Sequence, residues 1–156
     1  MSDQASPSPA EPAAGPQGFG GWLILLAIGV CLAPLRSLVE LSKSADAYGQ
    51  FWNVPNGKAV VLTECGISVF LFVLQVVTMV SMLNKFRNFP MLLTWLWVAT
   101  IVGTIANMVV FASLFPQATG ELFGAEFGRT IATVVVTGAW VCYVHLSVRV
   151  ANTFTK

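Results

Sequence analysis

Charged residues divide this chain into four long uncharged stretches, and nothing else in the sequence constrains its fold as strongly. No charge falls between Glu11 and Arg36, where an apolar run fills Phe19–Leu35. Twenty uncharged residues separate Glu64 from Lys85, thirty-three separate Arg87 from Glu121, and nineteen separate Arg129 from Arg149. A helix needs roughly 20 mostly apolar residues to cross about 30 Å of hydrocarbon, and each stretch supplies them. A chain of 156 residues cannot cover four such helices in succession. Composition agrees: 56% of residues are hydrophobic and 10% charged, against about 25% charged in soluble domains, and mean hydropathy is +0.75. The expected fold is all-α, an integral membrane bundle of four antiparallel transmembrane helices. The spans are placed near 20–42, 59–84, 90–115 and 129–150, within a domain covering 19–156.

Residues 1–18 read differently. Pro7, Pro9, Pro12 and Pro16 lie among Ser, Ala and Gly without apolar periodicity, a composition that cannot bury enough surface to offset its ordering entropy. The segment has no Lys or Arg to form a signal-peptide n-region, so a disordered tail before an uncleaved first helix is expected.

Several function classes drop out. A net charge of +1 gives no electrostatic footprint for nucleic acid. There is no Gly-x-Ser-x-Gly, His-Glu-x-x-His, P-loop or dinucleotide fingerprint, so no catalytic residue is assigned and the chain is read as a non-enzyme. Cys142 and His145 share a helix face, but two ligands make neither a zinc nor a haem site. No metal and no cofactor are expected, and Cys31, Cys65 and Cys142 read as small apolar residues.

Lys and Arg in short loops set orientation. With four spans, Lys85, Arg87, Arg149 and Lys156 share a side with both termini, against Lys43, Lys58 and Arg129 opposite. Both termini are therefore expected on the cytoplasmic side. On that side Lys85, Arg87, His145 and Arg149 are the candidate contacts to lipid headgroups, by snorkelling and by their place near a helix C-terminus.

A second group forms an outer layer. Arg36 lies about 24 Å along helix 1 from Gly20, Asn107 about 25 Å along helix 3 from Pro90, and Glu64 about 9 Å into helix 2 from Lys58. Arg129 opens helix 4 at the same face, so Arg36, Glu40, Glu64, Asn107 and Arg129 fall at one level, two acids balancing two bases. Intramembrane charges usually face the bundle interior and pair there. The pairing expected is Glu64 with Arg36, and Glu40 with Arg129 or the loop, with Asn107 filling a remaining hydrogen bond.

Local signals complete the reading. Pro34 removes one hydrogen bond inside helix 1, which predicts a kink near 30–34. Lys43–Gly57 reads as the longest early loop, with Tyr48, Phe51 and Trp52 in the headgroup layer and Asn53–Gly57 as a turn. Pro90 suits the first position of helix 3. Gly120, Gly124 and Gly128 recur every four residues, but Glu121 and Glu126 interrupt them, so a short interfacial turn is expected instead of a packing helix.

Several stretches together carry a resemblance: Gly20-Gly21-Trp22-Leu23-Ile24-Leu25-Leu26-Ala27-Ile28-Gly29, Ala33-Pro34-Leu35-Arg36, Glu64, Lys85-Phe86-Arg87-Asn88-Phe89-Pro90, Arg129, Ala139-Trp140-Val141-Cys142-Tyr143, and Ser147-Val148-Arg149-Val150-Ala151-Asn152-Thr153-Phe154. The chain from about residue 18 onward resembles a bacterial family of small four-span inner-membrane proteins of unknown function. Many relatives carry proline where this chain has Cys142. The resemblance implies the four-helix architecture and lends no mechanism.

Two roles compete. In the first, the chain is a non-enzymatic structural or accessory bundle among membrane lipids, acting as a homo-oligomer or in a larger membrane complex. In the second, it is a transporter or a protein binding a small ligand or lipid through an outward-facing polar layer around Arg36, Glu64 and Arg129. A closed, fully paired network favours the first, and a cavity at the outer layer favours the second.

Overall fold

The computed structural model describes residues 18–114 and 119–155, and within them all side chains except those of Ala47, residues 119–127 and Arg129. Among the described residues the chain is wholly helical: α1 (Trp22–Phe51), α2 (Gly57–Leu83), α3 (Phe89–Leu114), α4 (Thr119–Leu146) and the short α5 (Val148–Thr153). Three segments are long and apolar enough to cross a membrane: Trp22–Asp46 within α1, Gly57–Leu83 and Phe89–Leu114. Within α4, Thr130–Leu146 forms a shorter apolar stretch. The N-terminal tail lies outside the described residues.

Three sequence expectations give way. The loop over Lys43–Gly57 shrinks to residues 52–56, because α1 runs unbroken through Pro34 and on to Phe51. Nothing between Ser42 and Phe51 forbids helix, and the turn chemistry waits until Asn53–Gly57. There Asn56 adopts the left-handed region, and Gly57 lies so close to the Phe51 carbonyl that a β-carbon would collide with it. The second correction concerns 120–128, which is the opening of α4 and not a turn. Glu121, Leu122, Ala125 and Glu126 are good helix formers, and they carry the helix through three glycines that each cost about 1 kcal/mol. Gly128 faces open space, so the glycine spacing packs against nothing described there. Helix 4 also stops earlier than residue 150, where Ser147 turns extended before α5.

The α2–α3 turn closes with a Schellman motif: the amide of Phe86 donates to the Ser81 carbonyl and that of Lys85 to the Met82 carbonyl. Lys85 takes the left-handed position normally held by glycine, at φ 57°.

Packing is sequential, with α1 against α2, α2 against α3, and α3 against α4. Gly103 brings α3 close to α2, since a β-carbon there would stand 2.9 Å from the Ile67 methyl. The buried apolar core gathers at one end: Leu23, Leu26 and Val30 of α1, Met82 of α2, Phe89 and Leu93 of α3, Val141 and Val144 of α4, and Val150 and Phe154 beyond. Phe154 stacks on Phe89 at 4.5 Å, and Phe19 meets its edge at 6.3 Å. The Gly18 amide donates to the Thr153 hydroxyl at 2.9 Å, tying the two terminal segments together. At this end the Trp22 and Trp140 rings approach to 6.4 Å.

Candidate functional site

Away from that core the helices enclose a cleft of about 570 Å³. Helix α1 contributes a stripe at four-residue spacing, Arg36, Glu40, Ser44 and Tyr48, which helical periodicity stacks along one face. Helix α2 adds Glu64, Ser68 and Gln75, α3 adds Leu96, Trp97 and Thr100, and α4 adds Thr133, Val134 and Thr137. A second hollow, of about 520 Å³, continues past Arg36 and Glu40 to Lys43, Thr104 and Thr130. Most of the wall is apolar, from residues such as Leu38, Leu41, Val69 and Phe72.

The base of the cleft is latched on both sides. Ser37 donates to the Gln75 side-chain oxygen at 2.9 Å, joining α1 to α2. Trp97 donates its indole N–H to the Val134 carbonyl at 3.0 Å, joining α3 to α4, and its ring fits against Gly138, where a β-carbon would stand 3.2 Å from it. Thr100 and Thr104 donate back to the carbonyls of Leu96 and Thr100. Their oxygens keep acceptor capacity while their helix stays intact.

The expected pairing of Arg36 with Glu64 does not form. Arg36 Nε donates to Glu40 Oε1 at 2.8 Å, so Arg36 pairs within its own helix and not with Glu64. An i,i+4 partner on the same helix needs no adjustment between helices, which is why it wins. Both side chains stay open to the cleft, at 68% and 54% exposure. Glu64 is half-buried and shares the cleft with Tyr48, which lies beyond the apolar stretch of α1. Burial, and then the Glu64 carboxylate, push the Tyr48 hydroxyl up to about 12. Asn107, half-buried on α3, does not join these groups in either hollow. The side chain of Arg129 lies outside the described residues.

The inner group is dispersed. Lys85 sits 5.7 Å from the centre of the Phe19 ring, and the Arg149 guanidinium covers Gly20. Arg87 is exposed. His145 Nε2 lies 2.8 Å from Thr94 Oγ1. Thr94 Oγ1 also lies 2.9 Å from the Pro90 carbonyl oxygen, to which it donates. Thus Lys85 and Arg149 both hold the residue 18–20 segment, while His145 serves the α3–α4 contact. No group of three or more His, Cys, Asp or Glu side chains able to hold a metal occurs among the described residues.

Sequence reasoning found Arg36, Glu40 and Glu64 through their charge. It missed Ser37, Gln75, Trp97, Thr100, Thr133 and Thr137 as lining residues. Their signal was the hydroxyl spacing of Thr100 and Thr104, and of Thr130, Thr133 and Thr137, which puts each set on one helix face. Tyr48 was missed because it was read as part of a loop.

Residues 16–155 match the sequence model of a family described as "Protein of unknown function (DUF2569)". No curated protein matches the chain, and no solved structure does.

Proposed function

The chain belongs to this family of unknown function, and from its cleft we propose a non-enzymatic, multi-pass protein of the bacterial inner membrane that binds a small polar or amphipathic molecule between its helices. The observation that carries the reading is that Arg36, Glu40 and Glu64 line an open cleft. Charges at membrane depth are expensive and tend to mark functional sites. A closed network was the alternative, and the exposure of the Arg36 and Glu40 side chains argues against closure.

In this reading α4 is the fourth span. Its 28 residues reach about 42 Å at 1.5 Å per residue, and it packs along α3. The four helices then form an antiparallel bundle with both termini and the 84–88 turn on one side. The Lys and Arg of that side, Lys85, Arg87, Arg149 and Lys156, point it to the cytoplasm, so the cleft opens outward. Helix α1, at 30 residues, reaches about 45 Å. Its last turns, with Tyr48, stand above a hydrocarbon layer of about 30 Å. Two observations support binding over transport and catalysis. The apolar core lies across the inner end, where a path through the bundle would have to run. The Thr94 hydroxyl near His145 also meets the Pro90 carbonyl, which speaks against an activated nucleophile.

Thiol labelling tests the reading. With Cys31, Cys65 and Cys142 replaced, single cysteines at Ser68 and Thr100 should react with a membrane-impermeant maleimide from the periplasmic side only. Unreactive positions mean a closed bundle and a purely structural role. Labelling of the 84–88 turn from that side overturns the orientation.

A further inference from the structure

We infer that the cleft takes an amphiphile whose head carries both an ammonium and a phosphate, as an aminophospholipid does, admitted sideways between α1 and α4. This rests on the binding reading above and names its ligand class.

Helix order supplies the entrance. Each helix packs on the next, and α1 meets α4 at the core end, through Trp22 and Trp140. Farther along, the two helices face each other across the cleft. A ligand entering there can keep its chains against apolar side chains such as Leu38, Phe72 and Val134 while its head reaches polar ones. A fully water-soluble ligand has no use for walls of that character.

The charges select the head. Arg36 and Lys43 stand against Glu40 and Glu64 around the two joined hollows, so the charges of the described lining residues cancel. A head of one net sign would leave the opposite protein charges opposed and desolvated. Arg36 uses Nε on Glu40, and a guanidinium has five N–H donors in a planar fork that suits phosphate oxygens. Glu64 lines the cleft beside Tyr48, and a carboxylate has about four lone-pair sites, enough for an ammonium. That arrangement favours a primary ammonium, which donates N–H bonds, over a quaternary one, which has none to give and is recognised instead by aromatic cages. The cleft therefore distinguishes two zwitterionic lipids of equal charge.

Native mass spectrometry of the full-length protein, released from bilayers of defined composition, tests this. The probes are phosphatidylethanolamine, phosphatidylcholine and phosphatidylglycerol with identical chains, and soluble phosphoethanolamine. The wild type should retain phosphatidylethanolamine about tenfold over phosphatidylcholine, the difference one charged hydrogen bond makes. Glu64→Gln should erase that preference at unchanged melting temperature, and Arg36→Gln should weaken both lipids alike. Thr100→Phe, which fills the cleft without touching a charge, should weaken all of them and guards against a misfolded Glu64 variant. Equal retention of the two zwitterionic lipids, or stronger retention of phosphatidylglycerol, overturns the inference. Full competition by phosphoethanolamine alone also overturns it, assigning the site to a soluble zwitterion. A cleft that labels with maleimide but shows no head preference sinks this inference and leaves the binding reading standing, whereas an unlabelled cleft removes both.

Discussion

Replacing Arg36 separates a binding cleft from a structural ion pair. Were Arg36 half of a buried interhelical pair, removing it would leave an uncompensated charge and cost roughly 3–5 kcal/mol. The structure gives a different magnitude. Its contact to Glu40 is an i,i+4 pair along one helix, with both side chains more than half exposed, a geometry that contributes about 0.3–0.5 kcal/mol. Against that stands the cost of holding a guanidinium at membrane depth, about 2.5–3.5 kcal/mol at a helix centre by insertion measurements, reduced by whatever water or ligand fills the cleft. Arg36→Leu should therefore be neutral to stabilising in ligand-free detergent. Phe89→Ala serves as the comparison. Phe89 is fully buried against Phe154, and losing such a ring costs about 3–5 kcal/mol in soluble cores. Here the loss comes mainly from van der Waals contacts, since lipid tails are as apolar as the core. Thermal melts monitored by tryptophan fluorescence should thus show a large drop for Phe89→Ala and none for Arg36→Leu. If Arg36→Leu melts as low as Phe89→Ala, Arg36 holds helices together and the reasoning fails.

Lys85→Gly should raise stability by about 1 kcal/mol by relieving the left-handed conformation at the Schellman position, while Lys85→Ala should not, and paired melts decide it. Gly103→Leu should lower the melting temperature sharply by forcing α2 from α3 at Ile67, and a melt equal to wild type refutes that packing. Ser81→Ala should be neutral or stabilising, because the Ser81 hydroxyl is buried with no hydrogen-bond partner among the described residues and an unsatisfied buried group costs about 1–3 kcal/mol. Alkaline titration should show one of the two tyrosines ionising near pH 12. What its raised value contributes to stability is present below about pH 10 and lost as pH rises through about 12; Tyr48→Phe should remove that transition, and Glu64→Gln should lower it only partly, burial being the larger cause.

The charge-free stretches foretold the helices because hydrocarbon admits few alternatives for a long apolar segment. Their ends were less legible. Residues 43–51 look like a loop by polarity, yet they continue α1, since polarity marks where a helix leaves an apolar environment and not where its hydrogen bonds stop. The glycines of 120–128 misled for a related reason: spacing alone does not reveal whether a partner helix approaches, and Gly128 meets none. The outer layer was visible as a set of charged residues at one level. Its pairing was not, because Arg36 can reach Glu40 along α1 or Glu64 across on α2 with equal ease on paper, and the outcome depends on how the α1 and α2 side chains are set against each other.

The uneven packing of the bundle explains why the polar groups line a cleft. A bundle that packs uniformly would press Arg36, Glu40 and Glu64 together and neutralise them. In this chain the main cluster of buried apolar side chains lies at the end holding Leu23, Met82, Phe89, Val144 and Phe154, and the terminal segments lock there through Gly18, Phe19 and Thr153. Small hydroxyl residues take the facing positions at the other end, where Thr100, Thr133 and Thr137 leave space that leucines would fill. Their hydroxyls add acceptors to the cleft wall without adding charge. Stability and binding are therefore assigned to opposite ends of the same helices. Mutations at one end should change melting with little effect on lipid selectivity, and mutations at the other should do the reverse. Combining Phe89→Ala with Glu64→Gln tests that division: the two effects should add, as they do for sites that share no partner, and strong coupling between them would mean that the cleft and the core act as one unit.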